Sequence, residues 1–197
     1  DYTDSSCPAL LLEPLRTNLV TQSEYFGSQT INDATLTNNY AASPEGVSNA
    51  TRLNQSGTDY GNIQFSAIFY SNGVDYTHSI FVKKDTKNYI IFREFASSSV
   101  GGVRSSWFNL NELAWETSPS AHTTDFEDYG NGWIRLIITF NAGNTFSRVH
   151  QWGHGDANNS LVVANSGSTL FYGNQVESSA SYATSYIPTY GSSVSRV

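Results

Sequence analysis

The chain of 197 residues contains no methionine and a single cysteine, Cys7. One thiol cannot close an internal disulfide and cannot build a cysteine-based metal site. No histidine stands near it to make a nucleophile, so Cys7 reads as a small, partly buried residue. Charge is also scarce, at 14% of residues, with 17 acidic against 10 basic side chains and a net charge of -7. Clustered Lys and Arg are what nucleic acid demands, and their absence argues against that partner. No apolar run approaches the ~18 residues of a membrane-spanning helix, so membrane insertion is not expected. The opening has no basic segment followed by an apolar one, its longest apolar stretch being "ALLL". A mature, processed chain or a piece excised from a longer multidomain protein is expected. Apolar spacing at i, i+3, i+4, i+7 is missing throughout, and "NELAW" (Asn111–Trp115) offers at most one short helical turn.

What is abundant suits strands and turns: aromatics reach 14%, with Tyr, Phe, Thr, Ser and Asn prominent. "NIQFSAIFY" alternates Ile63, Phe65, Ala67 and Phe69 with polar Asn62, Gln64 and Ser66. "DYTHSIFVKK", "NYIIFREFA", "GVRSSWFNLN", "GWIRLIITFN", "TFSRVHQWG" and "STLFYGNQVE" follow as further strands. The connections "SNGVD" and "KDTKN" have the length and residue types of hairpins. Strands of this length joined by polar turns predict an all-β fold, a two-sheet antiparallel sandwich formed as one domain over 1–197. One parity of each strand should supply the core, with Ile63, Phe65, Ile80, Val82, Phe108, Leu110, Leu136, Ile138, Phe140 and Val176 prominent in it. The polar stretch Ser43–Asn62 reads as a surface loop or short edge strand.

Catalytic constellations are weak. His150 and His154 share a strand face at about 13 Å, too far apart for one ion unless Gly153 bends the chain towards Asp156. The acidic stretch Asp125–Gly132 offers oxygen ligands but reads foremost as a turn. No spacing nominates the paired carboxylates of a glycosidase, so no catalytic residue is assigned. The tryptophans are more informative. Trp107, Trp115 and Trp152 stand among polar neighbours, and the alternation that makes Phe108 and Leu110 core turns Trp107 and Asn109 outward. An exposed indole beside planar polar groups is what a sugar surface requires: the pyranose C–H face stacks on the ring and its hydroxyls bond the rim. Trp133, at a strand start, reads as a core or corner residue instead.

Several segments together resemble a known module. "CPALLLEPLRTNLVTQSEYF" (Cys7–Phe26), "ASPEGVSNATRL", "YTHSIFVKKDT", "GNGWIRLIITF" and "LFYGNQVESSASYATSYIPTYGSSVSRV" are similar, in order, to the segments of a module of phage tail-fibre and virion proteins and of secreted bacterial proteins. That resemblance implies a jelly-roll sandwich related to family-4-type carbohydrate-binding modules and the concanavalin-like group, acting in lectin-like, non-catalytic attachment to a polysaccharide or cell-surface glycan. Val176, Tyr172 and Asn174 depart from the module's usual Leu, Trp and Ala. The expected binding residues are Trp107, Trp115 and Trp152 with Arg93, Arg104, Asn109, His150 and Gln175 as polar partners. The arginines would favour acidic or sulfated glycans. Related sandwiches hold a structural calcium where first and last strands meet, which makes Glu13 and Glu177 its expected ligands; no other cofactor is required. An extracellular location, secreted or on a cell or virion surface, follows from the same resemblance. The alternatives are a structural or adhesion domain of a phage fibre, with a homotrimer if it is part of one, and a jelly-roll polysaccharide lyase or glycoside hydrolase. The closing "QVESSASYATSYIPT" (Gln175–Thr189) is expected to lie across the sandwich, anchored by Tyr182, Tyr186 and Tyr190, and to end its pairing at Pro188.

Overall fold

The computed structural model describes residues 13–95, 102–164 and 166–196; Cys7 and the first residues of the opening motif lie outside them. The strands are β1 Arg16–Asn18, β2 Thr30–Asn32, β3 Ala34–Ala42, β4 Ser48–Gln55, β5 Asn62–Tyr70, β6 Asp75–Lys84, β7 Tyr89–Glu94, β8 Arg104–Asn109, β9 Ala114–Thr117, β10 Thr123–Gly130, β11 Trp133–Asn141, β12 Phe146–Gly155, β13 Ser168–Ser178 and β14 Val194–Arg196. Two six-stranded antiparallel sheets face each other, ordered β10-β11-β6-β13-β4-β3 and β2-β5-β12-β7-β8-β9. The fold is all-β, a jelly-roll type sandwich. A third, two-stranded ladder joins β1 to β14. Among the described residues the only helical turn is Phe26–Ser28, and no helix is long and apolar enough to cross a membrane.

Alternation decides the core. On β6 Ile80 and Val82, on β11 Leu136, Ile138 and Phe140, and on β5 Ile63 and Phe65 point between the sheets, where they meet Phe108, Leu110 and Val176. Each buried side chain of this kind contributes about 1.5–3 kcal/mol. The second sheet adds Phe92 and Trp152, whose rings meet at 4.6 Å. The interior is also unusually polar. His78, His150 and Glu94 are fully buried, and His78 and His150 meet edge to face at 4.6 Å.

Three local expectations need correction. The turns after β5 and after β6 are not hairpins. β5 lies in the second sheet, β6 in the first and β7 back in the second, so both turns arch between the layers. Turn composition cannot separate these cases, because a short polar bend serves either. Residues 43–62 contain β4, which pairs with both β3 and β13 and buries Ala50, Thr51 and Leu53. "NELAW" forms a tight turn into β9, with Leu113 at φ 51, not a helical turn. The acidic stretch is the β10–β11 hairpin, closed by Gly130, Asn131 and Gly132, all at positive φ.

The closing segment lies across the outer face of the first sheet. Its Tyr186 ring sits against Phe81 and Tyr172, at 5.7 Å from each. That seat depends on Gly173, which adopts φ 59 at a bulge in β13 and whose Cβ would stand 3.0–3.2 Å from the Phe81 and Tyr186 rings. Ala180, Thr184, Ile187 and Thr189 of the segment are buried. Tyr182 and Tyr190, expected to anchor with Tyr186, are instead 52% and 72% exposed. Trp133 is buried in the same outer cluster, its indole N–H donating to the Ala42 carbonyl at 3.1 Å.

Candidate glycan-binding surfaces

The structure separates the expected site residues into four places. Arg93, Trp107 and Asn109 share the outward parity of β7 and β8, since Tyr89, Ile91 and Arg93 register with Asn109, Trp107 and Ser105. Arg104 registers with Glu94 and so has the inward parity, on the opposite side of the sheet from Arg93. Trp115 also has inward parity, opposite Phe108; it packs on that ring at 5.2 Å and donates its N–H to the Asp125 carbonyl at 3.0 Å, closing the sandwich edge.

Trp152 and His150 belong to the interior, which corrects their assignment to a surface. Both are 0% exposed, and the His150 ring stacks on Phe65 at 5.0 Å. Polar neighbours misled here, because His150, Trp152 and His154 share one parity and all three are buried. His154 is held by Thr169 and Gln55, and Asp156 by Lys87 and the Ala164 amide, so the three do not converge on an ion. Burial alone pushes the His150 imidazole down to about 3, and burial with the Lys87 ammonium takes His154 to about 3.

Gln175 and Glu177 hold down the closing segment. Gln175 Oε1 accepts from the Ile187 amide at 2.7 Å, and Glu177 accepts from the Thr184 amide at 3.0 Å and hydroxyl at 2.5 Å. Glu13 accepts from the Ser185 amide at 2.8 Å and pairs with Arg196 at 2.5 Å. These carboxylates, expected as calcium ligands, are thus engaged by protein donors at separate points. Among the described residues no cluster of three His, Cys, Asp or Glu is placed to hold a metal.

The outer face of the second sheet carries successive rows that cross its strands. The first runs Thr30, Gln64, Gln151, Arg93 and Ser105 in register. Gln151 Nε2 donates to Gln64 Oε1 at 2.9 Å, and Gln151 Oε1 accepts from the Tyr60 hydroxyl. The Arg93 guanidinium lies 5.3 Å from the Tyr60 ring and 5.8 Å from Phe95, with Nη1 donating to the Tyr60 oxygen at 3.3 Å. Burial is the main cause that pushes the Tyr60 phenol up to about 12, so it stays a neutral donor. The second row, Asn62, Gly153, Ile91 and Trp107, is roofed over. Leu161 and Val163 pack on Ile91 and Trp107, and the Trp107 N–H donates to Ser160 O at 3.3 Å, leaving the indole 7% exposed. Trp107 therefore does face outward from the sheet, but under a cover. Gly153 makes the approach possible, because a Cβ there would stand 2.3 Å from Gly61 O. Beyond it Asn109 and Tyr89 bond Glu116.

Tyr60, Gln64 and Gln151, absent from the sequence-based set, join Arg93 along the first row, where Tyr60 and Gln151 are buried and Gln64 and Arg93 half-buried. The parity of "NIQF" and "VHQWG" carried that signal for the glutamines.

No family model matches the chain, and no curated protein matches it. Several solved structures align with it at low identity. A xylanase 10B of Clostridium thermocellum, comprising CBM22-1 and GH10 modules with xylohexaose, aligns over 88% of this chain at 11% identity and TM-score 0.48. The enzymatically active domain of tailspike protein 4 of bacteriophage CBA120 aligns over 82% at 15% identity and TM-score 0.47. TmCBM61, in complex with β-1,4-galactotriose, aligns over 81% at 12% identity and TM-score 0.44, with 97% of its own length covered. The chain spans 21% of the tailspike domain and 29% of the xylanase.

Proposed function

We propose that the chain is a non-catalytic carbohydrate-binding module that takes acidic glycans along the Thr30–Gln64–Gln151–Arg93–Ser105 row. The observation that carries this reading is Arg93. Its guanidinium is fixed by the rings of Phe95 and Tyr60 and by the Tyr60 hydroxyl, its Nε is buried without a partner, and among the described residues no carboxylate pairs with it. A pre-positioned guanidinium fork matches the paired oxygens of a carboxylate or sulfate, and the neighbouring amides supply donors and acceptors for vicinal hydroxyls. The row contains no acid or base that titrates near neutrality, so it binds without offering general acid–base groups.

The test is affinity electrophoresis through gels containing uronate-rich, sulfated or neutral polysaccharides. Wild-type retention by the acidic polymers, weakening as salt is raised, should fall by about tenfold or more in Arg93→Ala, a loss of ~1.4 kcal/mol or above. Equal migration of wild type and Arg93→Ala through every acidic gel would sink the proposal.

A further inference from the structure

A cleft of different chemistry lies at an edge of the sandwich. About 160 Å³ in volume, it is lined by Glu24, Tyr25, Asn38, Asn39, Asn49, Thr51 and Tyr190. It sits where the first sheet's β3–β4 edge meets the opening segment and the end of the closing segment. Tyr25 and Tyr190 form its exposed walls, at 55% and 72% exposure. Neither ring is required by the core, and an exposed aromatic wall is the surface on which a sugar's C–H face stacks. Tyr25 is curled over Gly27, where a Cβ would stand 2.5 Å from the phenol oxygen.

The polar groups between the walls are fixed, and acceptors predominate among them. Glu24 Oε1 accepts from the Tyr190 hydroxyl at 3.0 Å and lies 3.4 Å from that of Tyr186, while Oε2 accepts from Asn49 Nδ2 at 3.3 Å. Asn38 Oδ1 accepts from the Thr51 hydroxyl at 3.3 Å. Asn49 Oδ1 is buried and has no donor. A carboxylate oxygen accepts more than one bond, so the cleft still calls for hydroxyl donors. Burial, followed by the hydrogen bond to Glu24, pushes the Tyr190 phenol up to about 12. Glu24 and the nearby Glu45 give the cleft a negative field, which repels uronates and sulfates.

We propose that this cleft is a second binding subsite, specific for an uncharged sugar unit that presents adjacent hydroxyls to Glu24 and Asn49 between the Tyr25 and Tyr190 rings. The two sites then sort glycans by charge, with an acidic chain on the Arg93 row and a neutral one at the Glu24 cleft. The second site stands on its own residues and does not depend on the first.

Saturation-transfer NMR and affinity electrophoresis with neutral, acidic and amine-bearing oligosaccharides test it on the full chain. Tyr190→Ala and Glu24→Gln should each weaken binding of a neutral oligosaccharide at least tenfold and leave retention by acidic polymers unchanged. Arg93→Ala should do the reverse, so failure at one site is distinguishable from failure at the other. Because Glu24 also touches Tyr186, Tyr25→Ala serves as a third variant, at a rim residue whose loss should leave the melting temperature in place. The proposal is overturned if no neutral oligosaccharide binds the wild-type chain, if only amine-bearing ones do, or if all three variants bind the neutral ligand as wild type does.

Discussion

Asn18 shows how one side chain can join three segments. It is fully buried. Its Oδ1 accepts from the amides of Val20 and Val176, both at 3.1 Å, and its Nδ2 donates to the carbonyls of Ile187 and Asn174, at 2.8 and 3.3 Å. The carboxamide's bonding capacity is thus filled by the opening segment, β13 and the closing segment. Asn18→Leu nearly preserves volume but strands four buried backbone groups, each costing about 1–3 kcal/mol. We expect a loss of at least ~3 kcal/mol in urea unfolding; a midpoint within error of wild type would show that water or a shifted backbone replaces the amide. The same close view explains why tryptophan position misled. Polar neighbours and alternation predict an exposed Trp107, whereas it is covered by Ser160 to Val163, more than fifty positions away.

The closing segment behaves as a structural strap. Gln175, Glu177, Glu13 and Ser23 each bond its backbone, and β14 returns to pair with β1. Composition alone suggests a linker, since Ser and Thr dominate it, but their hydroxyls and amides are spent on the sheet beneath. Removing residues 178–197 should uncover Phe81, Leu170 and Tyr172 together with the Glu177 carboxylate. At roughly 2–4 °C per kcal/mol for a domain of this size, we expect the melting temperature to fall by about 10 °C or more in differential scanning calorimetry. An unchanged transition would return the segment to the status of a linker. The opening "EPLRTNL" and the closing "YATSYIPT" and "VSR" are bonded to one another, through Glu13 with Ser185 and Arg196, Thr17 with Ser195, and Asn18 with Ile187.

Taken as a whole, the molecule places its histidines between the sheets, and that sets its response to acid. His78, His150 and His154 are held neutral in the folded state by burial, His150 and His154 down to about 3 and His78 well below its ordinary value, with His150 and His122 adding to its depression. Tyr70, Glu94 and His122 are the other polar groups around His78. In the unfolded chain each histidine titrates near 6.5. Below that pH the unfolded state takes up protons that the folded state refuses, so stability present at neutrality is lost as pH falls towards 3. Once the unfolded histidines are fully charged, each withdraws about 1.4 kcal/mol per pH unit. Urea unfolding from pH 7 to pH 4 should show this steep decline, and His150→Gln should flatten it by about one proton. A stability that is level across this range would contradict the buried, neutral assignment.

Period-two alternation is local information, and it was sufficient for the all-β class and for the core from Ile63 to Val176, because each strand states its own buried parity. It also indicated that Trp107 and Asn109 oppose Phe108. What alternation cannot state is which sheet a strand joins, as the turns after β5 and β6 show, or what a distant loop lays over an outward face. It hid β4 within a polar stretch, because outward Arg52 and Asn54 and inward Thr51 and Gln55 are polar alike. The Arg93–Tyr60–Gln151 row and the Tyr25–Glu24–Tyr190 cleft exist only in the folded chain, since each draws on segments brought together by strand crossing and strap closure. Burial parity is a property of neighbours along the chain, whereas a binding surface is a property of neighbours in space.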